Sequence, residues 1–186
     1  MPKKGLVFLY NDYPKSASDN FIHKKIYRFI PVFGHKIVTF IELEIHANQI
    51  VVISFYSEKH KNNKNKYKIR SNIGPGHTRA IMRACLEAYY ELDCDYAFVF
   101  NASNDVDEKG KDKNLELNAR YSAYELFLSI SFKDYDNYIK RGSIAINTLI
   151  LFHQSFQYKD EANRFYDKFE LEVEERINNP DTDADK

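Results

Sequence analysis

Residues 71–78 read Ser-Asn-Ile-Gly-Pro-Gly-His-Thr, two glycines flanking a proline directly ahead of an amphipathic stretch. Such a loop leaves backbone N–H groups unsatisfied at a helix N-terminus, where the macrodipole favours an anion. Gly74 and Gly76 carry no Cβ, so a ligand can approach the main chain. The chemistry this predicts is binding of a phosphate or diphosphate. Residues 59–79 hold seven Lys and Arg and no Asp or Glu, and Arg79 is well suited to phosphate. For a lone Gly-x-Gly the plainer alternative is a tight turn with no ligand, so support must come from its surroundings.

Other chemistry-bearing side chains are scattered. The six histidines have no clear partners. His77, in the first helical turn, either meets the anion or is exposed. Glu58 ends a strand pattern and reads as a surface carboxylate. Asp105, Asp107 and Glu108 lack the spacing of a calcium loop, and Cys85 and Cys94 offer no zinc spacing, so no metal is expected. Both cysteines read as reduced structural thiols.

The chain of 186 residues, 44% hydrophobic and 15% aromatic, has the composition of one folded domain. Its 27 basic and 27 acidic side chains cancel, so no overall field points to nucleic acid. The apolar run at residues 5–10 is too short for a signal peptide or a membrane span. A cytoplasmic protein without a membrane partner is the expectation.

The elements that must position the loop follow from periodicity. Residues 5–10, 26–33, 36–45 and 49–57 read as strands, the last three joined by hairpin-length connections. Ile37, Thr39, Ile41, Leu43 and Ile45 share a core face, while Glu42 and Glu44 share a wet one. Residues 58–66 read as an exposed loop and 67–70 as a short strand leading into the glycines. A helix at 77–92 carries Ile81, Cys85, Ala88 and Leu92 on one stripe. The buried strand at 95–102 completes a parallel, right-handed crossover with 67–70. Beyond a loop at 104–114, a helix at 115–130 lines up Leu115, Ala119, Ala123, Phe127 and Ile130, with Leu126 beside them. Strands at 132–139 and 144–152 flank a turn at Lys140-Arg141-Gly142. A last amphipathic helix at 160–177 carries Phe165, Phe169, Val173 and Ile177, and the tail beyond it reads as disordered.

This order resembles the GNAT acyltransferase fold over about residues 36–152, a core that some uncharacterised bacterial families share. Residues 71–81 fall on that family's cofactor loop, Gln/Arg-x-x-Gly-x-Gly/Ala, with Gly74 and Gly76 at its glycine positions. Residues 120–132 meet a later signature through Ala123, Leu126 and Phe132. The chain departs from the pattern at Ser71, Arg120 and Ser131. Phe127 stands where many members carry the tyrosine that protonates the leaving thiolate.

The resemblance implies an α/β (α+β) domain at 1–157: a mixed, mostly antiparallel sheet with a central parallel strand–helix–strand crossover. An extra C-terminal helix at 158–177 and a tail at 178–186 would follow. It implies acetyl-CoA or another acyl-CoA as cofactor, its diphosphate held by Ile73, Gly74, Gly76, His77, Thr78 and Arg79. The pantetheine arm would lie between two splayed parallel strands, and a small-molecule or protein amine would attack the thioester. Tyr124 and Phe127 point within about 60° of each other on a helix, which makes Tyr124 the substitute acid. A homodimer through the last helix is compatible with this reading. Two alternatives stay open: a GNAT-like binding or regulatory protein without transfer activity, and a nucleic-acid-associated protein using residues 59–79.

Overall fold

The computed structural model describes residues 5–17, 19–34, 36–64, 66–67, 75–93, 95–101, 119–143 and 148–178. Ile73, Gly74, Cys94, the group at 105–108 and the tail beyond 178 lie outside the described residues.

Seven strands, β1 (Leu6–Asp12), β2 (His23–Phe29), β3 (Thr39–His46), β4 (Ile50–Ser57), β5 (Ala97–Asn101), β6 (Tyr138–Ser143) and β7 (Thr148–His153), form one sheet ordered β1-β2-β3-β4-β5-β7-β6. Among the described residues three α-helices accompany them: α1 (Pro75–Tyr90), α2 (Ala119–Ser131) and α3 (Lys159–Asn178). Every neighbouring strand pair is antiparallel except β4 and β5. The chain is therefore a mixed α/β protein with a mostly antiparallel open sheet. Among the described residues no helix is long and apolar enough to cross a membrane.

Helices α1 and α2 cover one face, where Ile41, Leu43, Val51, Ile53, Phe98 and Phe100 meet Cys85, Ala88, Tyr124 and Leu128. Helix α3 covers part of the other, burying Ala162 and Tyr166 against Val52, Val99, Ile150 and Phe152. β5 is thus covered on both faces, as its unbroken apolar sequence requires. Each buried Phe or Leu there contributes roughly 1.5–3 kcal/mol.

Three expectations need correction. The described parallel partner of β5 is β4, and Tyr67 lies in a turn with its phenol bonded to Glu42, while residues 68–70 of the expected strand lie outside the described residues. Helix α2 buries Tyr121, Tyr124, Phe127 and Leu128, leaving Leu126 62% and Ile130 70% exposed. The spacing Tyr121, Tyr124, Leu128 is as helical as the predicted stripe, and its rings fill more volume. The late hairpin is also shifted. Residues 132–137 close α2 and make a short 3-10 turn, and Lys140, Arg141 and Gly142 lie inside β6. Gly142 serves close approach rather than a turn, since a Cβ there would stand 2.5 Å from the Tyr121 hydroxyl oxygen. Helix α3 packs on its own domain, as one of the two expected arrangements has it: Phe165 sets its ring 5.0 Å from that of His46. Arg141 holds the helix by donating to Asn163 Oδ1 (2.9 Å) and Asp167 Oδ1 (2.8 Å) while lying over the Tyr166 ring.

Candidate functional site

The proline of the glycine loop starts α1, where a missing N–H costs nothing. The other end of this 16-residue helix is pinned by the Tyr89 hydroxyl, which donates to the Tyr96 carbonyl at 2.7 Å just before β5 begins. The helix therefore runs back along the strands for about 24 Å, bringing its N-terminus toward the carboxyl ends of β4 and β5. At that end Gly76, Thr78 and Arg79 are exposed, and among the described residues a Cβ added at Gly76 would meet nothing within 4 Å. His77 differs from them. It is buried, so it is neither an exposed histidine nor one facing the open side of the turn.

At the same end of the sheet lie the last described pairs of β4 and β5. Their parallel register runs from Ile50↔Ala97 to Ile53↔Phe100, while β4 continues to Ser57. On its other side β4 stays paired with β3 as far as Thr39↔Ser57. Tyr124 of α2 lies over both strands, 6.2 Å from the Phe55 ring of β4 and 5.1 Å from the Phe100 ring of β5. It is buried, and Phe127 belongs to the same core cluster. No known protein family, curated protein or solved structure matches this chain.

The opposite face of the same stretch holds a group that sequence reasoning missed. Glu42 is not on a wet face but is 7% exposed. Its carboxylate accepts the Tyr67 hydroxyl at 2.7 Å and hydrogen-bonds the Tyr56 phenol. Lys66 Nζ stands 3.7 Å from the same carboxylate. Burial, then the charge of Glu42, pushes both phenols well above the ordinary tyrosine range. The signal was hidden because Tyr67 is 25 residues from Glu42 in a segment that reads as solvated loop.

Among the remaining candidates, Glu58 is exposed in the turn after β4, and Cys85 is buried with its thiol pushed up by desolvation. A thiol so held is a core filler and not a nucleophile. Among the described residues no group of three His, Cys, Asp or Glu is placed to hold a metal.

Proposed function

We propose that the chain is a GNAT-like, acyl-coenzyme A-dependent N-acyltransferase whose acyl donor lies at the carboxyl ends of β4 and β5. The observation that carries this reading is Tyr124, a phenol set over the two parallel strands with one ring of each beneath it. The position of α1 supports it. A helix N-terminus with an exposed glycine and an exposed Arg79 suits a diphosphate, and it faces the carboxyl ends of β4 and β5. The strand order agrees with the sequence resemblance, with hairpins before a parallel crossover and an antiparallel pair after it.

On this reading the amides from Gly76 to Arg79 receive the diphosphate, and β4 takes the amide-bearing arm by backbone hydrogen bonds. Binding then places the thioester beside a neutral amine, and proximity supplies most of the rate. The amine nitrogen bonds to the acyl carbon, the carbon–sulfur bond breaks, and the amine proton leaves to a base or water. Tyr124 protonates the departing thiolate. Phe127 has no proton to give.

Calorimetry with acetyl-CoA, free CoA and longer acyl forms tests binding. Gly76→Val should weaken it at least about tenfold without unfolding the protein, because its side chain enters open space needed by the diphosphate. Turnover with a panel of amines tests the chemistry. Tyr124→Phe should lower kcat by roughly 10²-fold or more with little change in KM. Robust turnover untouched by Tyr124→Phe removes the acid from Tyr124. Binding without turnover that Phe127→Tyr restores marks the chain as a lapsed enzyme.

A further inference from the structure

Around Glu42 four side chains make the kind of site that holds an organic cation, and one of the chain's own lysines is in it. Lys66 Nζ lies 4.0 Å from the Tyr56 ring centroid and 4.7 Å from that of Tyr67, with the Glu42 carboxylate 3.7 Å away. The two rings stand edge to face, 5.3 Å apart at 87°, so they form two walls of a corner. Phe40 stacks on Tyr56 at 5.5 Å and extends that wall. Ring faces attract a cation through their quadrupole, most strongly where water is thin, and the carboxylate supplies the full opposite charge. Both phenols are turned toward the carboxylate, so the walls are fixed by hydrogen bonds rather than by the lysine.

We propose that Glu42, Tyr56 and Tyr67 form a binding site for a primary ammonium ligand, and that Lys66 is its internal occupant, displaced when the ligand enters. Lys66 suits that part. It comes from the connection between β4 and α1, not from the sheet, and its side chain is 24% exposed against 9% for Glu42. Phe40, Glu42 and Tyr56 belong to β3 and β4, with Glu42 opposite Ser54 in a continuous antiparallel ladder. Tyr67 comes from the same turn as Lys66, but its own hydrogen bond to Glu42 holds it in place when the lysine leaves.

Phe55 and Tyr56 are consecutive in β4 and point to opposite faces of the sheet. Phe55 meets Tyr124 and Tyr56 meets Lys66, so the ammonium site and Tyr124 stand back to back on one strand. A bound ammonium on that opposite face is not the neutral amine that attacks the thioester, so the ammonium site does not rest on the acyl-transfer reading.

The test is calorimetric titration with butylammonium chloride against equal sodium chloride, with butanol as the uncharged control. Lys66→Met should bind butylammonium roughly tenfold more tightly than wild type, because the internal competitor is gone. Adding Glu42→Gln to Lys66→Met should abolish saturable binding, and butanol should not bind. A Lys66→Met protein that is folded by circular dichroism yet shows no saturable binding overturns the proposal. So does binding indifferent to Glu42→Gln, or equal binding of butanol. If Lys66→Met does not fold, the ring resonances of Tyr56 and Tyr67 are followed by NMR in wild type. Saturable shifts with butylammonium and none with sodium support the site, and their absence overturns it. Coenzyme A binding is measured separately on wild type. Ammonium binding without it removes only the acyl-transfer reading, and the reverse removes only the cage.

Discussion

At the scale of single residues, carboxylates on one strand face lead different lives according to what reaches them. Glu42 is closed over by two phenols, whereas Glu44, two positions on, is held by Lys24 at 2.6 Å and His46 at 2.9 Å. Burial works against the charge on Glu44. The hydrogen bonds from His46 and Lys24 outweigh it and keep the carboxyl below its ordinary 4.5. A depressed folded-state pKa gives stability that is present above the unfolded value and lost as pH falls through the folded one. Thermal midpoints from pH 7 down to 3 should therefore fall less steeply for Glu44→Gln than for wild type, the curves converging at the acid end. Parallel curves would mean that the bonds to Lys24 and His46 add nothing net. The alternation of β3 announced a carboxylate face, and nothing nearby in the sequence announced its partners. The anion loop was legible because its chemistry is local. The Glu42 group was not, because it is assembled by a turn returning across the sheet.

At the scale of elements, strands and helices set by their own alternation read correctly: β1 to β5, α1 and α3 fall near their expected places. The late hairpin did not, because tertiary contacts overrule propensity there. Phe132 has strand-like neighbours in sequence, but its ring packs 5.1 Å from Phe98 and 4.6 Å from Tyr138, which keeps it at the end of α2. Lys-Arg-Gly looked like a turn only because Gly142 has a second reason to be glycine. Gly142→Val should destabilise by about 1–3 kcal/mol through overpacking against Tyr121, Leu149 and the Thr148 carbonyl. In a double-mutant cycle with Tyr121→Phe the cost should be less than additive, since the hydroxyl that the new group strikes has gone. Strict additivity in urea unfolding would remove Tyr121 as the cause.

For the whole molecule, the position of α3 decides whether the sheet has one protected face or two. Ile50, Val52, Ala97, Val99, Ile150 and Phe152 are buried in the cluster that Ala162 and Tyr166 complete. Ending the chain after Gln157 should uncover that cluster and remove more than about 5 kcal/mol, comparable with the total stability of an ordinary domain. The expected product is an insoluble or molten chain rather than a smaller folded one. A truncated protein with unchanged melting temperature would show that α3 contributes little to the stability of this sheet.

The outermost strand carries one residue too many for its partner. β1 pairs Phe8 with Tyr27 but Tyr10 with Ile26, so Leu9 has no opposite number and the ladder shifts phase there. That surplus carries Tyr10 to the side of the sheet shared by Ile26 and Tyr56, near enough for its phenol to add to the upward push on Tyr56. Which side Tyr10 serves is thus a matter of counting, not of side-chain type. Leu9→Ala should leave the Tyr56 environment intact. Deleting Leu9 should remove the bulge and leave Tyr10 opposite Ile26, so the Tyr56 resonances should stay near their places. A large shift of those resonances would show that the bulge itself, and not the side Tyr10 occupies, shapes the surroundings of Tyr56.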